Sequence, residues 1–398
     1  MKIGAYYLVS SNTSGQSIDD ANYLMIKELS SLIGKKIDVV SLETLNQYDF
    51  IFTFIGGGGT EARFLKALDK LPQPVFILAT PNNNSLAASM EILSYLKQND
   101  IEGEIIHGSL EKMAKRIADL AKVIAVKKRI SSFKIGRVGK PSDWLISSDV
   151  DAAESKRLNG IEIIDIEMRE FFEEIKKREY QDNEYTELIK TKEFDSKEVE
   201  LSLGIYGALK RLCDRYQLDG VTVRCFDLLG PIKSTGCLAL AILNAEGIYA
   251  SCEGDVPSLI SMAILGELTG NSIFQANPSM INPETREMVF AHCTLPVNMV
   301  TDFSLMTHYE SGLGVALRGK LPVGDVTLFK CSGLMDSYFA APAKLIENLT
   351  EDDLCRSQIK ILIDDVAIEY FLTDSIGNHH LICTGNHVDI VNEFFKWI

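Results

Sequence analysis

The sequence predicts an α/β protein: two successive α/β domains with largely parallel sheets, then a small antiparallel β domain of barrel type. Three observations carry this prediction. Strand-like and helix-like runs alternate from residue 1 to about 128, at the pitch of βαβ units. The alternation resumes after the basic stretch Lys127-Lys128-Arg129, a linker or solvated helix end, and continues to about 297. Beyond 298 the helices thin out, glycines become frequent and short strands dominate. The domains are therefore placed at 1–128, 129–297 and 298–398.

In the first domain the apolar runs Lys2–Val9, Lys36–Ser41, Phe50–Ile55, Pro74–Ala79 and Gly103–His107 read as strands. Asp19–Ser31, Glu61–Leu68, Ser85–Lys97 and Leu110–Val126 read as helices. Gly56-Gly57-Gly58-Gly59-Thr60-Glu61 follows a strand and opens a helix. It is either a tight turn or a loop that touches substrate or a neighbouring subunit. It lacks the Gly-Lys-Ser/Thr of a phosphate loop and the full Gly-x-Gly-x-x-Gly frame. Asn82-Asn83-Asn84-Ser85 lies at a strand's carboxyl end, where open α/β sheets bind ligands. Asn84 is a candidate substrate contact there, and Ser85 an N-cap.

In the second domain Phe133–Val138, Trp144–Ser147, Ile161–Ile166, Val221–Cys225 and Ile248–Cys252 read as strands. Glu154–Leu158, Glu167–Arg178, Glu198–Tyr216, Thr235–Leu243 and Asp255–Leu268 read as helices, and 179–197 as a polar, exposed stretch. The third domain has strand-like runs at Gly314–Arg318, Val326–Lys330, Ile359–Ile363, Val366–Leu372 and His380–Thr384, and a closing helix at Val388–Trp397.

Composition bounds the function. A net charge of −15 argues against nucleic acid, whose phosphates require stripes of Lys and Arg. No window of about 18 apolar residues predicts a membrane span. The N-terminal apolar run is too short for a signal peptide and has no cleavage site, so a cytoplasmic location is expected. The eight cysteines form no Cys-x-x-Cys pair and many sit in apolar runs. They read as reduced core residues and not as a zinc knuckle.

The chemistry is expected in the second half. Of six histidines, five lie between 292 and 387, interleaved with carboxylates and small-residue turns. Carboxylate plus imidazole is the ligand set of a hard or borderline divalent metal, and equally of acid/base catalysis. Glu253 and Asp255 stand where a strand ends and a helix begins, the place where an α/β sheet presents catalytic groups. His292 follows a strand and precedes a turn. His308 and Glu310 are spaced i, i+2 and share a face on a strand. His379 and His380 open a strand and point opposite ways, so one of them faces a given site. Three or four of these groups converging would make an N/O site favouring Mn²⁺ or Mg²⁺. Arg224, Asp227 and Lys233 read either as contacts for substrate hydroxyls or an anionic substituent, or as ion-pair partners.

Across nearly the whole chain, the ordered segments Gly58-Gly59-Thr60-Glu61, Asn83-Asn84-Ser85-Leu86, Pro141-Ser142-Asp143-Trp144-Leu145, Val223-Arg224-Cys225-Phe226-Asp227, Cys252-Glu253-Gly254-Asp255, Phe290-Ala291-His292-Cys293 and Gly377-Asn378-His379-His380 are similar to the L-fucose isomerase and L-arabinose isomerase superfamily, in particular its short fucose-isomerase-like members. The resemblance implies two Rossmann-like domains, a C-terminal β domain and a homo-oligomer, trimer or hexamer. It implies aldose–ketose interconversion of a small-molecule sugar, a divalent metal, usually Mn²⁺, and proton transfer between C1 and C2 through an ene-diol. Glu253 matches the metal-binding, acid/base glutamate. His379 or His380 matches the C-terminal metal histidine, and His292 the intervening one. Asn277 stands where a second carboxylate is expected. An amide coordinates weakly and cannot act as a base, so Asp255 or Glu310 would have to supply the missing carboxylate, with His308 and Asn84 nearer the substrate. The alternative reading is a non-catalytic carbohydrate-binding or regulatory protein on the same scaffold.

Overall fold

The apolar runs of the first domain form one parallel sheet. Its strands are β1 (Ile3–Leu8), β2 (Ile37–Val40), β3 (Phe50–Ile55), β4 (Val75–Ala79) and β5 (Gly103–Ile106), in the order β2-β1-β3-β4-β5. The middle strand β3, Phe-Ile-Phe-Thr-Phe-Ile, is buried along its whole length. That continuous apolar run is what a strand covered on both faces requires. The accompanying helices are α1 (Asp20–Ile33), α2 (Glu61–Ala67), α3 (Ser85–Gln98) and α4 (Leu110–Ile130). The structure, a computed structural model, describes residues 1–8 and 20–398. Val9 and Asp19, assigned above to a strand and a helix, lie outside the described residues. Ser85 is the first helical residue and not the cap. Asn84, at φ 56°, holds the cap position, and the Ser85 hydroxyl instead accepts from the Thr80 amide at 3.0 Å.

Residues 1–128 with 393–398 make one compact unit, and 129–392 make the other. The second unit starts with a four-stranded parallel sheet of β6 (Lys134–Val138), β7 (Glu162–Ile166), β8 (Gly220–Val223) and β9 (Tyr249–Cys252), ordered β7-β6-β8-β9. Its helices are α5 (Ala152–Asn159), α6 (Met168–Lys176), α7 (Glu184–Lys190), α8 (Ser196–Tyr216), α9 (Cys237–Ala245) and α10 (Val256–Thr269). Helix α7 falls in the stretch expected to be merely polar. Asn183 starts it with a capping box, its side chain accepting from the Tyr185 and Thr186 amides. The run Trp144–Ser147 is not a strand. Consecutive turns, Leu145 N–H to Ser142 O and Ser148 N–H to Leu145 O, coil it up. The polar neighbours Ser142, Asp143 and Ser147 favour such turns.

The rest of this unit is a closed antiparallel barrel of β10 (Phe274–Asn282), β11 (Glu287–His292), β14 (Gly324–Cys331), β15 (Tyr338–Leu349), β16 (Ser357–Leu362) and β17 (His380–Thr384), beside a hairpin of β12 (Asp302–Met306) and β13 (Ala316–Lys320). The order β10-β11-β16-β15-β14-β17 closes through the β10–β17 pair, so the barrel has no free edge. Two of its strands precede residue 298. Met288, Phe290, Leu328, Leu345, Ile359, Ile361 and Ile382 are wholly buried and belong to the main core of the unit. Val366–Leu372 lies in a helix, α11 (Asp365–Thr373), and not in a strand. Asp364 caps it by accepting from the Ala367 amide, and its buried positions Ala367 and Ile368 fit one helix face. The closing helix is α12 (Val388–Lys396). Among the described residues no helix is long and apolar enough to cross a membrane.

Gly207 shows how tightly α8 is seated. A Cβ there would lie 2.0 Å from the Glu179 carbonyl oxygen. Gly207→Ala gains about 1 kcal/mol of helix propensity, yet it collides with backbone that cannot move cheaply. We expect net destabilisation of about 1–3 kcal/mol, read as a lower urea midpoint. An unchanged or higher midpoint would show that the 179–180 segment yields.

Candidate active site

The site grows out of the end of β9. Its last residue, Cys252, is followed by Glu253 at φ 65° and Gly254 at φ 73°. Only glycine fits at 254, because a Cβ would come within 2.5 Å of the Lys140 carbonyl oxygen. Glu253 has no such excuse, and a carboxylate residue in the left-handed region is a strained feature of the kind found at functional sites. The backbone holds it there. Gly254 N–H donates to Val223 O at 3.0 Å, and Glu253 O accepts from Ser142 N–H at 2.9 Å. The reversal points the Glu253 side chain into a cavity of about 440 Å³, part of it open to solvent. The Trp144 indole N–H donates to Glu253 Oε2 at 2.6 Å.

Asp255 points the other way and lies outside the cavity wall. It is wholly buried and caps α10. Its carboxylate accepts from Ser258 N–H at 2.8 Å, Ser258 O–H at 2.7 Å and His379 Nδ1 at 2.8 Å, with Lys330 Nζ at 3.6 Å. Burial pushes its carboxyl up, but Lys330 and His379 more than offset this and hold it well below the usual carboxylate range. Asp255, expected as a candidate proton carrier, is thus a fully engaged orienting group. Its partner His379 is buried, with Nδ1 committed to Asp255. Its Nε2 lies 3.8 Å from Glu253 Oε1 and has no hydrogen-bond partner among the described residues.

His292, at the end of β11, is held by Thr294 Oγ1 on Nδ1 at 2.8 Å. Its ring meets the His379 ring edge-on, with centroids 5.3 Å apart. Burial, and then His379 and His308, draw it well below the ordinary histidine value, so it is neutral near pH 7. Ligand atoms of Cys252, Glu253 and His292 all lie within 4.8 Å of one another. Asn277, on β10, lines the same cavity, and its Oδ1 accepts from Asn378 Nδ2 at 3.1 Å. His308 and Glu310, in the loop after β12, complete the wall. His308 Nδ1 is engaged by Ser311 Oγ at 3.0 Å, and burial lowers its pKa.

The structure therefore brings together Glu253, Asn277, His292, His308, Glu310 and, behind Glu253, His379. It does not bring His380, which opens β17 and turns to the opposite side. There the Tyr370 hydroxyl lies 2.8 Å from Nε2 and the Asn378 carbonyl 3.2 Å from Nδ1. Alternation along a strand allows only one of two consecutive residues to face the site, and the Tyr370 hydrogen bond selects His379. Arg224 is occupied by Asp143 at 2.9 Å, Asp227 at 3.1 Å and the Pro141 carbonyl at 2.7 Å, so Arg224 and Asp227 act as an ion-pair cluster. Lys233 is exposed at a left-handed turn, φ 56°, outside the cavity wall. Asn84 belongs to the first unit.

Sequence reasoning missed Trp144, Lys330 and the thiols. Trp144 gave a faint signal, a tryptophan inside a polar turn segment. Lys330 gave none, since a lysine ending an apolar strand reads as exposed, yet it is 1% exposed. Five of the eight cysteines line the cavity, all of them free thiols: Cys225, Cys237, Cys252, Cys293 and Cys355.

The donor set fits a divalent metal of the manganese class. The Glu253 carboxylate, the His292 imidazole and the Asn277 amide oxygen line the pocket, and behind Glu253 the His379 Nε2, 3.8 Å from Oε1, is left without a hydrogen-bond partner among the described residues. No protein-family model matches the chain. Two relatives, sulfoquinovose isomerases of Priestia aryabhattai and Priestia megaterium, are each 25% identical over 335 residues, 78% of this chain and 72% of theirs.

The structural role of His380 is testable by pH. Burial pushes its pKa down to about 3, against about 6.5 in the unfolded chain. The unfolded chain thus binds a proton that the folded chain refuses. Stability from this group is full above about pH 6.5 and falls as pH drops toward 3, by about 1.4 kcal/mol per unit. His380→Gln should flatten the fall in urea midpoint between about pH 7 and about pH 5. An unaltered slope would mean that other groups carry it.

Proposed function

We propose that this chain is an aldose–ketose isomerase of the L-fucose isomerase-like type, with an acidic aldose such as sulfoquinovose as its substrate. The placing of Glu253, His292 and Asn277 on the wall of one cavity at a strand's carboxyl end, with His379 directly behind Glu253, carries the reading. The likeness to two sulfoquinovose isomerases supports a sugar isomerase in general.

In this reading Glu253, His379 and His292, with the Asn277 amide oxygen, would hold a divalent ion. When bound, such an ion supplies Lewis-acid polarisation of the sugar's carbonyl and hydroxyl oxygens. Glu253 takes the proton from C2 of the open-chain aldose while the C1 carbonyl oxygen gains one, giving the ene-diol. Return of the carbon-bound proton to C1 and loss of the O2 proton complete the ketose. The Trp144 N–H fixes one oxygen of Glu253 and leaves the other, Oε1, toward His379 and the cavity. Glu310, the other carboxylate in the wall, is the group available for proton exchange at oxygen. Asn277, a neutral donor, moves no proton. Asp255 and Lys330 position His379 without touching substrate.

Incubation with sulfoquinovose and a panel of aldoses in the presence of Mn²⁺, with products read by NMR, tests the proposal. Turnover of at least one sugar is expected. Failure of every sugar with an intact fold favours the alternative motivated by Asn277, a non-catalytic sugar-binding protein, and ligand-dependent thermal stabilisation without turnover would establish it. Glu253→Gln should cost at least about 100-fold in kcat. Asn277→Asp should raise manganese occupancy in elemental analysis; unchanged occupancy would remove Asn277 from the metal set. Assembly as a trimer or hexamer belongs to the same reading, and a strict monomer in light scattering would count against it.

A further inference from the structure

We propose that the cavity holds a second metal site, for a thiophilic divalent cation of the zinc class, formed by Cys237, Cys293 and His308 with Cys355 as a fourth donor. The proposal does not depend on the isomerase reading. Four separate segments build the site. Cys237 is the first residue of α9, Cys293 follows the end of β11, His308 lies in the loop after β12, and Cys355 precedes β16. The Cys237 and Cys293 sulfurs are 3.3 Å apart, and ligand atoms of Cys237, Cys293 and His308 all lie within 4.8 Å of one another. All three residues are buried, and Cys355 packs against the cluster that Cys237 and Cys293 form with Ala316.

The distances suit a small tetrahedral ion. Bonds of about 2.3 Å to sulfur and about 2.0 Å to nitrogen place donors about 3.5–3.8 Å apart, so the thiols need to open by only about half an ångström. Ser311 engages His308 Nδ1, which leaves Nε2 as the ligating nitrogen and fixes the ring as an outer partner should. Donor chemistry divides the cavity. Two thiols and an imidazole select zinc-class ions, whereas the other set of Glu253, Asn277, His292 and His379, although the Cys252 thiol lies beside Glu253 and His292, is led by carboxylate, amide and imidazole donors that suit harder ones. His292 and Cys293 are consecutive, one in each set, so the two sets share a wall without sharing a ligand. Each thiol that ligates releases its proton to solvent.

Cobalt titration of metal-free, reduced protein tests this, because thiolate–cobalt charge-transfer absorption reports sulfur ligation directly. We expect a saturable charge-transfer band, reversed by Zn²⁺, retained in Glu253→Gln and lost in Cys237→Ser and Cys293→Ser. Circular dichroism melting checks that each variant is folded. If the serine variants do not fold, His308→Ala serves in their place and should weaken cobalt binding at least about tenfold. Absence of the band in the wild-type protein would overturn the proposal. So would its persistence in both serine variants, its loss in folded Glu253→Gln, or unchanged affinity in His308→Ala.

Discussion

The buried negative charge of Asp255 is the constraint on which the second unit turns. One carboxylate starts α10, satisfies the Ser258 hydroxyl, faces the Lys330 ammonium from β14 and orients His379 at the entrance to β17. Helix, α/β sheet and barrel are thereby joined at one point. Lys330 is itself 1% exposed and donates to Ser258 Oγ at 2.6 Å, so neither charge reaches water. Such a pair adds little net stability over apolar residues of similar volume. Removing one partner, however, leaves the other buried and uncompensated, at about 3–5 kcal/mol. What the arrangement provides is position: the His379 ring has one usable orientation, and its free nitrogen points at Glu253.

Two acidic residues separated by one glycine therefore do opposite jobs. The left-handed turn at Glu253-Gly254 sends one side chain into the cavity and the next acidic one into the interior. Strain at Glu253 is sustained by hydrogen bonds on both sides of the turn and by the Trp144 indole. Regular φ at 253 would release that strain but turn the carboxylate away from His379. The cost in backbone energy, of order 1–3 kcal/mol, is thus linked directly to where the carboxylate must be.

Much of this was legible in the sequence. The βαβ alternation marked both parallel sheets, and the strand-to-helix junction marked Glu253. The crowding of histidines marked His292, His308 and His379. What escaped did so for local physical reasons. Val366–Leu372 is rich in β-branched and aromatic residues and reads as a strand, but Asp364 supplies a cap, and capping with a 3.6-residue burial pattern prevails over β propensity. The Trp144 segment has apolar residues but no strand partner, and its serines close turns instead. The choice between His379 and His380 rests on Tyr370, ten residues before His380 and invisible to any spacing rule. The thiols around Cys237 and Cys293 come from positions 56 residues apart, so the absence of Cys-x-x-Cys pairs was no guide to their meeting in space.

Asn277 bears on the balance of charge in the cavity. With an amide in place of the carboxylate that the resemblance expects, Glu253 is the only anion among the four donors Glu253, Asn277, His292 and His379. On the isomerase reading a bare cation would then gain less attraction and be held more weakly. For a sugar that itself carries a negative group the same change works in the opposite sense. Two like charges a few ångströms apart in a poorly solvated pocket repel by several kcal/mol at an effective dielectric of about 20. Replacing one carboxylate by a neutral oxygen that still accepts a hydrogen bond removes that repulsion while keeping a contact for a hydroxyl. On the isomerase reading, Asn277 thus trades metal affinity for tolerance of an acidic substrate. The His292 ring, kept neutral by burial, is consistent with a pocket whose charge is held low on both sides of the sign.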